Sequence, residues 1–402
     1  MNQSIYAIGT FDSKGSELEW IAERLRHIGI AVKTVDVGTL SPPTLTPDIT
    51  REEVLDGVNL PSNNHRGDSI RVMGAALRNY LAREVAANRV AGIIGIGGSG
   101  GTSLITAGMR DLPIGLPKLM VSTVASGNTA PYVDCSDITM MYSVVDVAGL
   151  NVVSEAVMGN AAHAIAGMAQ FQQKPQTKRT TLGLTMFGVT TPCVNQVRET
   201  LEEAGHDCLT FHATGTGGRA MEKLVDSGMI TGVLDITATE VADEIAGGIF
   251  PAGPQRYDVF AKKKIPLVIS LGAIDMVNFG AMEAVPDRYK HRKLHVHNPQ
   301  VTLMRTTRDE NVQIAKWIAK KLEGIESPWT LVIPERGVSS LSIKGQPFHD
   351  PDADAACFET LEREIKPSPI HQIIRVNEEI NSSRFSARLF QEFQSLDSQI
   401  SR

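Results

Sequence analysis

The chain has 402 residues, of which 42% are hydrophobic and 21% are charged, a composition typical of soluble globular proteins. Its formal net charge of −6 at pH 7 gives no broad basic surface, which argues against binding to nucleic acid. The start of the sequence lacks the features of a signal peptide, and no apolar stretch is long enough to cross a membrane. The four cysteines form no CxxC pair and read as reduced thiols, so we expect a cytoplasmic protein.

The first half of the sequence alternates strand patterns with helical patterns. Apolar runs typical of buried strands lie at 3–9, 32–37, 90–96 and 119–124. The helical patterns between them lie at 16–27, 69–87 and 102–109. This alternation predicts an α/β domain, with a mostly parallel sheet flanked by helices. Thr50 and Glu53 have the spacing of a capping box, which predicts a short helix between the second and third strands.

The stretch 90–104, VAGIIGIGGSGGTSL, carries the strongest functional signal. A buried strand ends in a glycine-rich loop that leads into a helix, and the loop consists of Gly97, Gly98, Ser99, Gly100, Gly101 and Thr102. Backbone amides at such a helix start bind anions, usually phosphate. The loop is not a Walker A motif, and the apolar 119–121 stands where a dinucleotide fingerprint needs an acidic residue. A tight structural turn is the alternative interpretation.

Other loops of the first half follow strands and therefore meet at the same edge of the predicted sheet, where α/β proteins bind ligands. Lys14 is suited to a phosphate, and Asp12 or Asp134 is suited to Mg²⁺. Hydroxyl donors are supplied by Thr10, Ser99, Thr102, Ser122 and Thr123. Asp12 and Ser13 also fit as N-caps of the following helix, a role compatible with binding.

The second half echoes the first, which predicts an internal duplication. A strand at 181–187, a helix at 194–204 and a strand at 208–212 repeat the opening order, and 232–236 corresponds to 92–96. The polar segment 171–179 is typical of a linker, so we predict domains at 1–177 and 178–402. In the tail, Phe385, Leu389 and Phe393 recur at helical spacing and predict a packing helix.

Polar residues in the second half form a candidate substrate site. A second glycine-rich loop supplies Gly217, Gly218 and Arg219, with an arginine suited to a carboxylate or phosphate. His212 and Asn278 are further candidates for substrate binding, and Glu240, Asp275 and His297 are candidates for acid–base catalysis. His295 and His297 share one face of a predicted strand, but no third ligand at a suitable spacing supports a protein metal site.

Eight ordered motifs spread over most of the chain carry a family resemblance. They are GTFDSKGSEL, HRGDSI, GIGGSGGTSL, STVASGN, FGVTTPCV, HATGTGGRAMEKL, LGAIDMVNFG and HNPQVTLMR. The sequence resembles the Tm-one-like ATP-binding domain family, also called uncharacterised protein family 0261. The resemblance implies two Rossmann-like domains, with ATP and Mg²⁺ bound by the first. The implied ATP contacts fall on Thr10, Asp12, Lys14, Gly97, Gly98, Ser99, Gly100, Gly101, Thr102, Ser122 and Thr123.

Three functions remain open from the sequence. The first is an ATP-binding protein that acts on a small acidic substrate in a cleft between the domains, by an unknown reaction. The second is a non-catalytic protein that is regulated by ATP and works through a partner. The third is an NAD-dependent dehydrogenase, for which Asp36 would have to bind the ribose. We expect a homodimer, the default for such a chain.

Overall fold

The computed structural model describes residues 3–61, 66–172, 179–366 and 368–400. The chain divides into two compact units, Met1–Gln176 (unit 1) and Thr177–Arg402 (unit 2). Most of the predicted linker at 171–179 lies outside the described residues, since 173–178 are not among them. In the described part of the chain, no helix combines the length and the apolar character needed to cross a lipid bilayer.

Unit 1 is a parallel sheet with helices on both faces. Its strands are β1 (Ser4–Gly9), β2 (Val32–Asp36), β3 (Val90–Gly97), β4 (Lys118–Ser122) and β5 (Thr139–Tyr142). Its helices are α1 (Phe11–His27), α2 (Arg51–Leu55), α3 (Arg66–Ala86), α4 (Ser99–Arg110), α5 (Ala130–Val133) and α6 (Val152–Gln170). The strand order is β2-β1-β3-β4-β5, and every neighbouring pair is parallel.

Alternation along the strands divides the core of unit 1 between the two faces of the sheet. Ile5 and Ala7 of β1 pack with α1 and α6, whereas Tyr6 and Ile8 pack with α3 and α4. Both faces of a parallel sheet are covered, so its strands are apolar throughout, as the sequence pattern indicates. The predicted capping box is confirmed at α2, where the Thr50 hydroxyl accepts from Glu53 N and the Glu53 carboxylate accepts from Thr50 N.

Unit 2 contains a larger parallel sheet and a small antiparallel one. Its strands are β6 (Thr181–Met186), β7 (Asp207–His212), β8 (Gly232–Thr237), β9 (Leu267–Gly272), β10 (Met276–Phe279), β11 (Leu294–Asn298), β12 (Val301–Arg305), β13 (Trp329–Pro334) and β14 (His371–Val376). Its α-helices are α7 (Thr191–Glu203), α8 (Thr216–Asp226), α9 (Thr239–Ala246), α10 (Arg308–Glu323), α11 (Pro351–Glu364) and α12 (Ser383–Ile400). Short 3₁₀ helices lie at Gly188–Thr190, Asp258–Ala261, Met282–Ala284 and Asp287–Tyr289.

The two units share one strand order. The large sheet of unit 2 runs β7-β6-β8-β9-β13-β14 from one edge to the other, so its second, first, third and fourth strands are arranged as in unit 1. The segments 92–96 and 232–236 lie in β3 and β8, the third strand of each unit. This agreement supports the predicted duplication. The antiparallel sheet, β10-β12-β11, is an addition found in unit 2.

The C-terminal helix is a packing helix, as predicted. Phe385, Leu389 and Phe393 of α12 are fully buried against β6, β8 and α7. Gly232 leaves room for this contact, because a Cβ at that position would lie 2.9 Å from the Phe393 ring.

We expect Phe393→Ala to lower the free energy of unfolding of unit 2 by about 3–5 kcal/mol, because it leaves a cavity beside Gly232. Urea unfolding followed by circular dichroism measures the change. Gln391→Ala, an exposed position on the same helix, is the control and should leave the midpoint unchanged. Equal midpoints for the two variants would show that α12 does not stabilise the core.

Candidate functional site

The candidate site of unit 1 lies at the carboxyl ends of β1 and β3, which are neighbours in the sheet. The helix after β1 packs on one face of the sheet, and the helix after β3 packs on the other. Where two adjacent strands send their connections in opposite directions, a crevice opens at which α/β proteins bind ligands. A cavity of about 300 Å³ occupies this crevice.

The cavity brings together most of the residues predicted to contact a nucleotide. Those that line it are Thr10, Asp12, Lys14, Gly97, Gly98, Ser99, Gly100 and Gly101. Thr102 and Ser122 lie beneath the loop instead. Both are fully buried, and their hydroxyl oxygens are 2.6 Å apart. They hold the loop against β4 rather than face the cavity.

The first turn of α4 presents backbone amides to the crevice. The N-cap is Gly98, which has no side chain to accept a hydrogen bond from the start of the helix. The first intrahelical bond runs from Thr102 N to Gly98 O at 2.8 Å, so the preceding amides have no acceptor within the helix. Such amides, together with the positive end of the helix dipole, are the groups that bind anions at helix starts in other proteins, and anion binding here stays a prediction.

Two glycines of this loop have different roles. A Cβ on Gly97 would lie 3.0 Å from Gly101 Cα, so Gly97 is needed for the close approach of β3 to α4. A Cβ on Gly98 would meet one atom, Thr123 Oγ1, at 3.8 Å. Thr123 thus lies next to the loop, and Gly98 borders open space. One glycine is thus required by packing, and its neighbour leaves space that a ligand could occupy.

Asp12 and Lys14 lie at the start of α1, which begins at Phe11, before the predicted residue 16, and has a kink at Lys14. The N-cap is Thr10, so the suggested N-cap role of Asp12 and Ser13 is wrong. Asp12 Oδ2 instead accepts hydrogen bonds from Leu40 N at 3.1 Å and Ser41 N at 3.4 Å, which ties α1 to the segment after β2.

Asp36 does not line the cavity, although it ends β2 as an NAD-binding residue would. Its side chain is buried, and Oδ1 accepts from Phe11 N at 3.0 Å and Gly38 N at 2.7 Å. Burial raises the pKa of this carboxyl group. Asp36 thus fixes the backbone around the crevice, which argues against a role in ribose binding. Asp134, the second Mg²⁺ candidate, is exposed at the end of α5 and outside the cavity lining.

Sequence reasoning missed two charged residues of the cavity, Arg66 and Asp146. Arg66 is the first residue of α3, and Asp146 follows β5. Among the described residues, neither Lys14 nor Arg66 has a carboxylate partner, so two cations are available to an anion. Asp146 follows a strand, so the rule that ligands bind at strand ends could have identified it. The apolar pattern of β5 is too weak to predict that strand from the sequence.

In unit 2, the backbone amides of the glycine-rich loop donate to a carboxylate side chain of the protein, that of Glu240. Glu240 Oε1 accepts from Gly215 N at 2.8 Å and from Gly218 N at 3.2 Å. A Cβ on Gly218 would lie 2.2 Å from Glu240 Oε2, and a Cβ on Gly217 would lie 1.7 Å from His212 O. Packing alone therefore requires glycine at both positions, and their role in substrate binding stays a prediction.

Glu240 also belongs to a buried charge cluster. Arg256 is 2% exposed, and it pairs with Glu222, with Asp235 Oδ2 at 2.8 Å and with Glu240 Oε2 at 3.3 Å. Burial raises the pKa of Glu222. One guanidinium thus bridges three carboxylates that would repel each other without it.

The remaining candidates of unit 2 lie on different elements of the fold. Asn278 is buried and donates from N and Nδ2 to Asp243 Oδ1, at 2.7 and 3.1 Å. Asp275 is buried and accepts from Ser339 Oγ at 2.8 Å, and burial raises the pKa of Asp275. The exposed candidates are His212 at the end of β7, Arg219 on α8, and His297 on β11. Arg219 Nε donates to Gly215 O at 3.0 Å.

Family models match both units. Residues 3–174 match the uncharacterised protein family UPF0261 N-terminal domain, and residues 179–396 match its C-terminal domain. The chain belongs to the UPF0261 family. A UPF0261 protein of Rhizobium meliloti is 52% identical over 387 residues, which cover 95% of this chain and 96% of that protein.

A second relative is the ToMV resistance protein Tm-1 of Solanum lycopersicum, which is 41% identical over 97% of this UPF0261 chain and 55% of its own length. Among solved structures, UDP-N-acetylglucosamine 2-epimerase of Rickettsia bellii is 10% identical, with a TM-score of 0.23 over 67% of this chain and 78% of that one. MurG of Acinetobacter baumannii is 10% identical, with a TM-score of 0.22 over 100% of this chain and 92% of that one. Scores this low carry no conclusion about function.

We expect Arg256→Met in this UPF0261 chain to lower the free energy of unfolding at neutral pH by about 3–5 kcal/mol, because three buried carboxylates lose their counter-charge. The carboxyl pKa values of the folded variant would lie above those of the unfolded chain. Folded molecules then bind more protons, so the variant should gain stability as the pH falls.

Urea unfolding of wild type and variant at about pH 8 and about pH 5 measures the difference in their free energies of unfolding, which should be smaller at the lower pH. Arg384→Met is the matched control, since its side chain is 85% exposed and pairs with Glu378 at the surface. A difference from wild type that does not change with pH would contradict the repulsion between the carboxylates.

Proposed function

We propose that the chain is an ATP-binding protein whose unit 1 holds the triphosphate in the crevice between β1 and β3. One observation carries the proposal: the uncapped start of α4 faces a cavity that Gly98 leaves open and that Lys14 and Arg66 line. Amides at a helix N-terminus with nearby cations are the groups that bind phosphate in α/β proteins. The family resemblance of the motifs narrows the ligand from a phosphate compound to ATP.

The lining also suits Mg²⁺ carried by the nucleotide. Mg²⁺ is usually bound by one or two carboxylates together with phosphate oxygens and water, rather than by a cage of protein ligands. Asp12 and Asp146 both line the cavity, and Oδ2 of Asp12 already accepts two backbone amides. In the described residues, no three His, Cys, Asp or Glu side chains converge on one point. The bound ion would neutralise phosphate charge, with Asp12 as its protein ligand.

Unit 2 leaves room for two roles. His212 at the end of β7 and Arg219 on α8 are both exposed, which supports the binding of a small acidic substrate. Of the three acid–base candidates, Glu240 and Asp275 are buried and engaged in hydrogen bonds, whereas His297 is exposed. This burial favours the alternative function, in which ATP is a regulatory ligand and the protein acts by binding a partner.

We expect Gly98→Val to raise the dissociation constant for ATP with Mg²⁺ by at least about tenfold, because the added methyl groups fill the space at the start of α4. Lys14→Ala should weaken binding in the same direction, through the loss of a cation. Isothermal titration calorimetry measures both changes.

Gly167→Val is the matched control, because a Cβ there meets no atom within 4 Å and Gly167 lies in α6, away from the cavity lining. If Gly98→Val and Gly167→Val bind ATP equally well, the start of α4 is not the nucleotide site.

The fate of ATP separates the two roles of the protein. We expect ATP to be recovered intact after hours with the purified protein and Mg²⁺, because burial keeps the carboxylates of Glu240 and Asp275 from a substrate and leaves His297 as the exposed acid–base candidate. Anion-exchange chromatography measures the nucleotides. ADP or AMP that forms with wild type and not with Gly98→Val would favour an enzyme.

A further inference from the structure

A second cavity of about 410 Å³ lies next to the first in unit 1. The two cavities share Thr39 and Leu40, which we call the ridge. The ridge follows β2, which is the strand beside β1 at the candidate site. The two cavities are thus neighbouring compartments along the carboxyl edge of the sheet.

The chemistry of the second cavity differs from that of the first. Its walls include the apolar side chains of Leu40, Leu55, Val58 and Leu60. The two charged side chains in the lining, Arg51 and Glu52, pair with each other at 3.0 Å, and Thr39 and Asn59 add neutral polar groups. Leu40 is 68% exposed and Val58 is 50% exposed, so a flat apolar group that covered them would remove hydrophobic surface from water. The first cavity carries the glycine amides and cations that suit phosphate.

The ridge is held in place from the phosphate side. Asp12 Oδ2 accepts from the amides of Leu40 and Ser41, and Arg51 Nη1 donates to Ser41 O at 2.8 Å. Its position is therefore set by backbone hydrogen bonds and not by contacts of the Leu40 side chain. An exposed leucine on a fixed backbone is suited to contact a ligand without rearrangement.

We propose that the base of the nucleotide lies in the second cavity, against Leu40 and Val58, while its phosphates lie at the start of α4. This inference rests on the proposed function, because it extends the same ligand across the ridge. The sheet order is β2-β1-β3, so a nucleotide with its phosphates at the start of α4 extends past the end of β1 to the ridge that follows β2. Asn59 and Thr39 offer hydrogen bonds to the edge of the base.

Two probes test the two compartments separately: ATP, which fills both, and inorganic triphosphate, which fills only the phosphate compartment. We expect Val58→Glu to raise the dissociation constant for ATP by about tenfold, because a carboxylate replaces apolar surface under the base. Its affinity for triphosphate should stay that of wild type. Gly98→Val should weaken both ligands.

The matched control is Val152→Glu, the same substitution at an exposed valine that starts α6 and lines neither cavity. It should bind both probes as wild type does. Leu40→Ala gives a second variant of the base compartment, and we expect it also to weaken ATP selectively. Thermal unfolding establishes that the variants are folded before titration.

The outcomes separate the two proposals. If Val58→Glu and Leu40→Ala both bind ATP and triphosphate with wild-type affinity, the proposed base compartment is wrong. The proposed phosphate site is then unaffected. Equal weakening of both probes by Val58→Glu would also overturn it, since the substitution would then act on the phosphates. No binding of either probe by wild type would remove the proposed function itself.

Discussion

The close approach of β3 to the first turn of α4 is the constraint on which the candidate site depends. Gly97 permits it, because any Cβ there would meet the backbone of Gly101 at 3.0 Å. The approach brings Thr102 over Ser122 and fixes α4 to the neighbouring strand β4. It also turns the uncapped amides of α4 toward the crevice instead of toward bulk solvent. Gly97 therefore serves packing first, and the proposed anion site is the surface beside it that Gly98 leaves open.

The two units share one strand order, but the amides of their glycine-rich loops face different partners. In unit 1, the helix amides at the crevice face a cavity with two cations on its walls. In unit 2, the amides of the glycine-rich loop are taken by Glu240, whose other oxygen pairs with buried Arg256. An internal carboxylate thus fills the position that an external anion would occupy. A glycine-rich loop before a helix is therefore compatible with binding and with internal packing, and the partner of its amides decides between them.

Local patterns predicted much of this structure, and contacts between distant residues account for the rest. The alternation of apolar runs predicted the sheet of unit 1, and the Thr50–Glu53 spacing predicted its capping box, because both depend on neighbours in the sequence. The rule that ligands bind at strand ends located eight residues of the cavity lining. Arg66 was not identified by this rule, because it lies at the start of α3 and not at the end of a strand. The burial of Glu240 was not predictable, since it depends on Arg256, 16 residues away.

Asp12 contacts both the first cavity and the ridge that separates it from the second cavity. One of its oxygens holds the backbone of Leu40 and Ser41, and its side chain also faces the phosphate cavity. In the proposed complex, a metal ion that draws on this carboxylate also changes the anchor of the wall on which the base rests. Metal affinity and base preference are then thermodynamically coupled through a single side chain. The choice of divalent cation would alter which nucleotide the protein prefers, with no contact between the cation and the base.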